Sequence, residues 1–322
     1  MKKFGTDAWK LCLLLLFVCR HPAIAQITNL HIDPSTDTGK YMSAGFNTQT
    51  NPPVPAFAYY SFDGTRHALV YNPNGTPTIV DTEGNPGIFT SLVHDGGTPY
   101  IAYYEFNNRA VKVAFLPGIG TWTRLVVASG TPRGYVSLAH TRGMLGGRTL
   151  HVSYLDLDVT GSTTVVYARS VFPYTTWTRT VLSSASIGHT SIGVDENNTV
   201  YIAFIHEGSL KLATVSETGN NSVATVDPSG AVTTFCSLRV FGPQSAYRVG
   251  IAYYEYDNGT RLKLALMDGN GRFSIHTVEE GGGGTFVSLA GTTQWETLRP
   301  VSYTHLRAHE TPEHLVCRLL LE

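Results

Sequence analysis

The stretch PYIAYYEF, residues 99 to 106, returns as VGIAYYEY at residues 249 to 256. Weaker forms stand at 55 to 62 (PAFAYYSF), 150 to 157 (LHVSYLDL) and 200 to 207 (VYIAFIHE). In an extended strand Ile101, Tyr103 and Glu105 share one face, and Tyr100, Ala102 and Tyr104 share the other. Both faces are largely apolar, so such a strand must be covered on both sides. Each copy follows a short strand built on a serine: Ser43, Ser91, Ser137, Ser191 and Ser237, with Ser288 opening a sixth unit. Successive serines lie 48, 46, 54, 46 and 51 residues apart. A period near 50 in an all-strand sequence is the signature of a propeller blade or a similar stacked unit.

The interior of one period fits a blade. A third strand follows the Tyr strand, as AVKVAF (110 to 115), TVVYAR (164 to 169), SLKLAT (209 to 214) or RLKLAL (261 to 266). A fourth follows as WTRLVV (122 to 127), WTRTVL (177 to 182) or FSIHTV (273 to 278). DNGT at 257 to 260 and DGNG at 268 to 271 supply hairpin-turn chemistry. Four antiparallel strands in such a period predict an all-β fold, a β-propeller of four-stranded blades. Six blades are expected, with seven as the alternative and the last blade incomplete. The phrase recurs because every blade must show the same two faces to its neighbours. QITNLHIDPSTDTGKYMS, residues 26 to 43, matches the run from a fourth strand into the next Ser strand, so residues 27 to 32 are expected to close the ring as the outer strand of the last blade.

The chain divides into three. Residues 1–25 have a basic start, an apolar run from Leu11 to Val18 and small residues at Ala23 and Ala25, which reads as a secretory signal. The run is far shorter than the roughly 20 residues of a membrane span, so no membrane insertion is expected. Residues 26–299 are the propeller. Residues 300–322 abandon strand alternation, and V-S-Y-T-H-L, R-A-H-E-T and L-V-C-R-L-L-L-E resemble translated sequencing adapter, a non-native tail. The expected location is secreted, periplasmic or at the cell surface.

Without the two ends, the 23 basic and 24 acidic residues become 17 and 20, a net charge of −3. Nothing in that balance suggests nucleic acid or an anionic membrane as partner. Charged residues are 15% of the chain, against about 25% in typical domains. Of the four cysteines, Cys236 alone belongs to the propeller, so no disulfide is expected there.

The pattern TSL, PYIAYYE, VKVAF and TWT over residues 27 to 299 resembles exported bacterial propeller repeats in the broad neighbourhood of fucose-binding lectins and sialidase-like propellers. Fucose-type lectins of that neighbourhood carry Arg, Glu and Trp around each inter-blade pocket. Lys112, Lys211 and Lys263 stand where the Glu would be sought, so that sugar site is not carried over. The Arg-Ile-Pro segment and the S-x-D-x-G-x-x-W turns of sialidases are absent from the sequence.

Aligning the five Tyr strands brings Ser61, Glu105, Asp156, His206 and Glu255 to one equivalent strand end. An interrupted acidic ring on one face of the disc could contact a basic or polyhydroxylated ligand, or these side chains could bond hairpin turns. His94 and His140 recur three residues after the serine on strands expected to line the channel. DLDVTGS at 156 to 162 offers Asp156, Asp158 and Thr160 in calcium-loop spacing, but without EF-hand helices it reads as a hairpin end. Trp122 and Trp177 could be sugar-stacking platforms, but their regular place at the start of a fourth strand favours inter-blade packing. No metal, cofactor or catalytic residue is assigned. The expected function is a secreted, non-catalytic propeller that binds a glycan or an extracellular protein surface. The alternatives are a polysaccharide lyase or glycoside hydrolase, and a structural domain of a larger, truncated surface protein.

Overall fold

The computed structural model describes residues 37–301, apart from short stretches at 51–52, 119, 144–146, 185, 187, 242–247, 258, 282–286 and 292–297. The first blade is β1 (Asp37–Asn47), β2 (Val54–Phe62), β3 (His67–Pro73) and β4 (Thr78–Asp81). The second is β5 (Pro86–Asp95), β6 (Thr98–Glu105), β7 (Ala110–Phe115) and β8 (Thr123–Ala128). The third is β9 (Gly134–Arg142), β10 (Arg148–Leu157), β11 (Thr163–Val171) and β12 (Thr178–Ser183). The fourth is β13 (Ser191–Val194), β14 (Val200–His206), β15 (Ser209–Val215) and β16 (Asn221–Asp227), and the fifth β17 (Val232–Phe241), β18 (Arg248–Tyr256), β19 (Thr260–Met267) and β20 (Phe273–Glu280). A sixth sheet has two strands, β21 (Ser288–Gly291) and β22 (Leu298–Val301).

Within every four-stranded sheet the strands pair antiparallel in sequence order. The serine strands β1, β5, β9, β13, β17 and β21 contact one another in succession and form the inner wall. Among the described residues this is an all-β propeller of five complete blades and the start of a sixth. Ile27 to Ile32, the expected closing strand, lie outside the described residues. β22 runs two residues past the expected native boundary at Arg299.

The two faces of the repeated phrase do what its alternation predicts. Ile101 and Tyr103 pack with Ala56, Leu69 and Val80 of the first blade. Tyr100, Ala102 and Tyr104 pack with Leu138, Val152 and Tyr154 of the third. Trp122 lies against the first of these clusters and Trp177 against the second, so both tryptophans serve inter-blade packing. Each blade interface is thus a small core of its own, as a stacked repeat requires.

The serines are explained by a contact the periodicity does not reveal. The N–H of Leu92 donates to Ser43 Oγ at 2.9 Å, that of Leu138 to Ser91 at 3.0 Å, and that of Ile192 to Ser137 at 3.2 Å. Leu238 donates to Ser191 at 2.9 Å and Leu289 to Ser237 at 2.9 Å. In each case the donor is the residue just after the next blade's own serine. One hydroxyl per blade therefore stitches the inner wall to its neighbour and fixes the stagger between blades. Ser191→Ala removes the acceptor and leaves the buried Leu238 N–H unpaired, a cost of about 1–3 kcal/mol. A drop in the denaturant midpoint should register it; a midpoint unchanged from the parent would show that the stitch is dispensable.

Candidate functional site

The inner strands do not run straight into the wall. Between Lys40 and Ser43, Ile88 and Ser91, and Val232 and Cys236 the register slips, as it does opposite Ser153 to Leu155 in the third blade. The residue two before the serine lies in each irregularity: Tyr41, Phe89, Tyr135 and Phe235, with His189 at the same offset in the fourth blade. Tyr41, Phe89 and Tyr135 have φ of 54°, 53° and 54°, a left-handed conformation that is uncommon for bulky residues and costs of order 1–3 kcal/mol. The next blade holds that backbone in place. Thr90 Oγ1 donates to the Tyr41 carbonyl, Thr190 Oγ1 to the Tyr135 carbonyl at 2.9 Å, and Cys236 Sγ to the His189 carbonyl at 3.8 Å.

These bulges gather aromatic rings from successive blades. Tyr41 meets Phe89 edge-on at a centroid distance of 4.9 Å, and Phe89 stacks on Tyr135 at 4.3 Å. Tyr135 reaches His189 at 6.3 Å and, across the fourth blade, Phe235 at 6.4 Å. His189 and Phe235 are 5.9 Å apart. Phe89 also packs against the core between the second and third blades, and Tyr135 against that between the third and fourth. All five are partly exposed, so they make an aromatic mouth at the end of the inner wall where each serine strand begins. The signal was in the sequence, since an aromatic or His precedes every serine by two. Phe286 stands at that offset before Ser288, outside the described residues.

The strand-end residues expected as an acidic ring do occupy one equivalent position, near the same end of the disc, but one in each of five blades. Glu105 is buried, with its Oε1 accepting from Asn108 N at 3.0 Å and Asn108 Nδ2 at 2.9 Å. Lys112 Nζ lies 3.1 Å from Glu105 Oε2 and 3.6 Å from Asp81 Oδ2 of the preceding blade, which accepts the Tyr103 hydroxyl at 2.6 Å. The fifth blade repeats this quartet. Lys263 Nζ is 2.6 Å from Glu255 Oε1 and 3.4 Å from Asp227 Oδ2, and Tyr253 donates to Asp227 at 2.6 Å. Burial pulls the Asp227 carboxyl up, yet Tyr253, the Ser229 N–H and Lys263 outweigh it and leave it below the usual carboxylate range.

The other complete blades lack the quartet. In the third, Val166 stands opposite Tyr154 where Lys112 stands opposite Tyr103, and the buried Asp156 accepts from Leu157 N at 2.8 Å. In the fourth, Phe204 replaces the tyrosine, and His206 Nδ1 is 3.1 Å from Ser183 Oγ. Ser61 is buried in the first. Asp158 of the calcium-like spacing caps its own turn, accepting from Thr160 N, Thr160 Oγ1 and Ser162 N at 2.8, 2.6 and 2.9 Å. Among the described residues no group of three or more His, Cys, Asp and Glu could hold a metal ion.

His94 and His140 sit at the opposite end of the inner wall, in adjacent blade interfaces. Tyr71 OH lies 3.0 Å from His94 Nε2, and His140 Nε2 donates to the His94 carbonyl at 3.0 Å. Burial pushes the His94 imidazole down to about 4, with His140 adding to the shift, and also lowers His140 against the pull of Asp95. Cys236 is a buried free thiol pushed up to about 12 by desolvation.

With this geometry the chain is a β-propeller by fold, and the solved structures it is similar to include lectins and sialidases. It is similar to the SapL1 lectin solved with alpha methyl fucoside, at TM-score 0.55 and 14% identity over 85% of this chain and 90% of that one. It is similar also to the six-bladed fungal lectin of Aleuria aurantia, at TM-score 0.53 and 11% identity over 82% and 87%. A Hadza microbial sialidase, Hz136, matches at TM-score 0.52 and 11% identity over 84% of this chain and 64% of that one. No family model matches the chain, and no curated protein matches it in sequence.

Proposed function

We propose that this protein is an exported, non-catalytic propeller that binds a glycan at the aromatic mouth formed by Tyr41, Phe89, Tyr135, His189 and Phe235. The observation that carries the reading is the run of partly exposed rings in contact from one blade to the next, three of them on left-handed backbone. A conformation that costs energy at equivalent positions of three blades is a device for aiming side chains. Aromatic faces edged with hydroxyl groups suit the alternating apolar and polar surfaces of a sugar ring. The lectin propellers of similar fold support the ligand class.

A glycosidase reading requires two carboxyl groups facing one cleft. Glu105 and Glu255 belong to separate blades and are each held by a lysine, which favours a binding role. The test is a glycan screen with the parent propeller and Tyr135→Asn. Asparagine tolerates the left-handed backbone, so the substitution deletes the ring and keeps the bulge. Affinity for a captured glycan should fall roughly tenfold or more, about 1.4 kcal/mol, with thermal stability retained. Equal affinity of parent and variant would move the site away from the mouth.

A further inference from the structure

At the other end of the disc, Arg142 and Arg148 are directly paired across the β9–β10 ladder. Like charges in register repel, and a single carboxylate compensates them: Asp95 of the neighbouring blade, 3% exposed. Arg142 binds Asp95 Oδ1 through Nε at 2.5 Å and through Nη2. Arg148 Nε lies 2.9 Å from Oδ2. Gly96 makes room for this arrangement, because a Cβ there would lie 2.7 Å from Arg142 Nη2. The neighbouring His94 and His140 are held neutral at pH 7 by burial. The local count is therefore two guanidinium charges against one carboxylate.

The donors are unequally used. A guanidinium has five N–H groups in a fixed plane. Arg142 Nη1 and both terminal nitrogens of Arg148 have no protein partner among the described residues. The side chains are 53% and 41% exposed. Asp95 thus pins the Nε edges while the outer edges of two forks face solvent with one positive charge in excess. Such edges match the paired oxygens of a carboxylate or sulfate.

We propose that Arg142 and Arg148 form a clamp for a planar or tetrahedral oxyanion, the carboxylate or sulfate of an acidic glycan, on the face opposite the aromatic mouth. The clamp stands on its own geometry and rests on the glycan reading only for the carrier of the anion. Titration calorimetry with the complete propeller would use a galacturonate oligomer, a sulfated oligosaccharide, a neutral oligosaccharide of equal length and inorganic sulfate. Affinity for the acidic probes should fall about tenfold or more in Arg148→Gln and rise in Asp95→Asn, which removes the competing carboxylate. The neutral probe should not distinguish parent from Arg148→Gln. Arg148→Lys retains the charge without the fork and gives an intermediate loss, so the clamp stays testable if the Gln variant does not fold. Loss confined to inorganic sulfate would uphold the clamp and assign a free ion as its ligand. Failure of all acidic probes to bind, or equal binding by parent and Arg148 variants, would overturn it. Neutral-glycan binding that survives Arg148→Gln and vanishes in Tyr135→Asn would separate the two sites.

Discussion

Lys112→Met is expected to destabilise the propeller by about 3–5 kcal/mol, the cost of stripping a buried charge network of its cation. Lys112 stands between Glu105 and Asp81, each 1% exposed, and removing it leaves two buried carboxylates in one blade interface. Arg124 reaches Asp81 at 3.5 Å but is 42% exposed and cannot replace the lost partner. Lys263→Met should shift stability in the same direction but by less, because Arg261 Nη2 also reaches Glu255 Oε2 at 2.8 Å. Lys211 occupies the aligned position, but its amine bonds Thr225 Oγ1 at 2.7 Å in an exposed setting. Lys211→Met should therefore change stability by no more than about 0.5 kcal/mol. Urea midpoints of the three variants decide the matter. Equal shifts for Lys112 and Lys211 would mean that the quartets contribute nothing beyond a surface lysine.

Acid should loosen the fold well before carboxylates titrate. His94 and His189 are pushed down to about 4 and His151 to about 3, in each case chiefly by burial. His151 lies between Thr141 Oγ1 at 2.9 Å and Tyr167 OH at 2.7 Å, with no room for a solvated cation. The folded state keeps these rings neutral, whereas the unfolded chain protonates them near pH 6.5. Unfolding is then accompanied by proton uptake. Stability is full above about pH 6.5, falls as the pH drops below it, and stops falling below the folded-state values. At about 1.4 kcal/mol per pH unit, these shifts bound the contributions of His94 and His189 at about 3 kcal/mol each and that of His151 at about 5 kcal/mol. Asp227 and Glu255, lowered in the fold, lose their contribution only below about pH 4, so the window from 6.5 to 4.5 belongs to the histidines. Melting temperatures should be flat from pH 8 to 6.5 and decline below. His94→Gln with His151→Gln should flatten that decline, and an equally steep decline in the double variant would assign the acid lability elsewhere.

Much of the architecture was legible because a blade is a local object. Alternation in PYIAYYEF requires two apolar neighbours, and the serine spacing gives the repeat. Tryptophan at the start of the fourth strand reads correctly as packing for the same reason. The roles of individual polar residues were less legible, because they depend on pairs that lie about one blade apart in sequence. Nothing local shows that Asp81 lies under Tyr103 and Lys112, or that Asp227 lies under Tyr253 and Lys263. The serine spacing marks the period in the sequence, but only the fold shows that the hydroxyls bond the backbone of the following blade.

The sequence by itself determined the propeller and its repeat, since strand period, turn chemistry and two-faced apolar strands are written within one blade length. Only the tertiary structure decided which polar residues are spent inside the protein and which face outward. Glu105 and Asp95 are both carboxylates near strand ends, but one is enclosed by Lys112 and Asn108 while the other draws two half-exposed arginines to the surface. The aromatic mouth was decided there as well. Bulges turn Tyr41, Phe89 and Tyr135 out of the strand alternation, and ring curvature brings side chains from separate blades into contact.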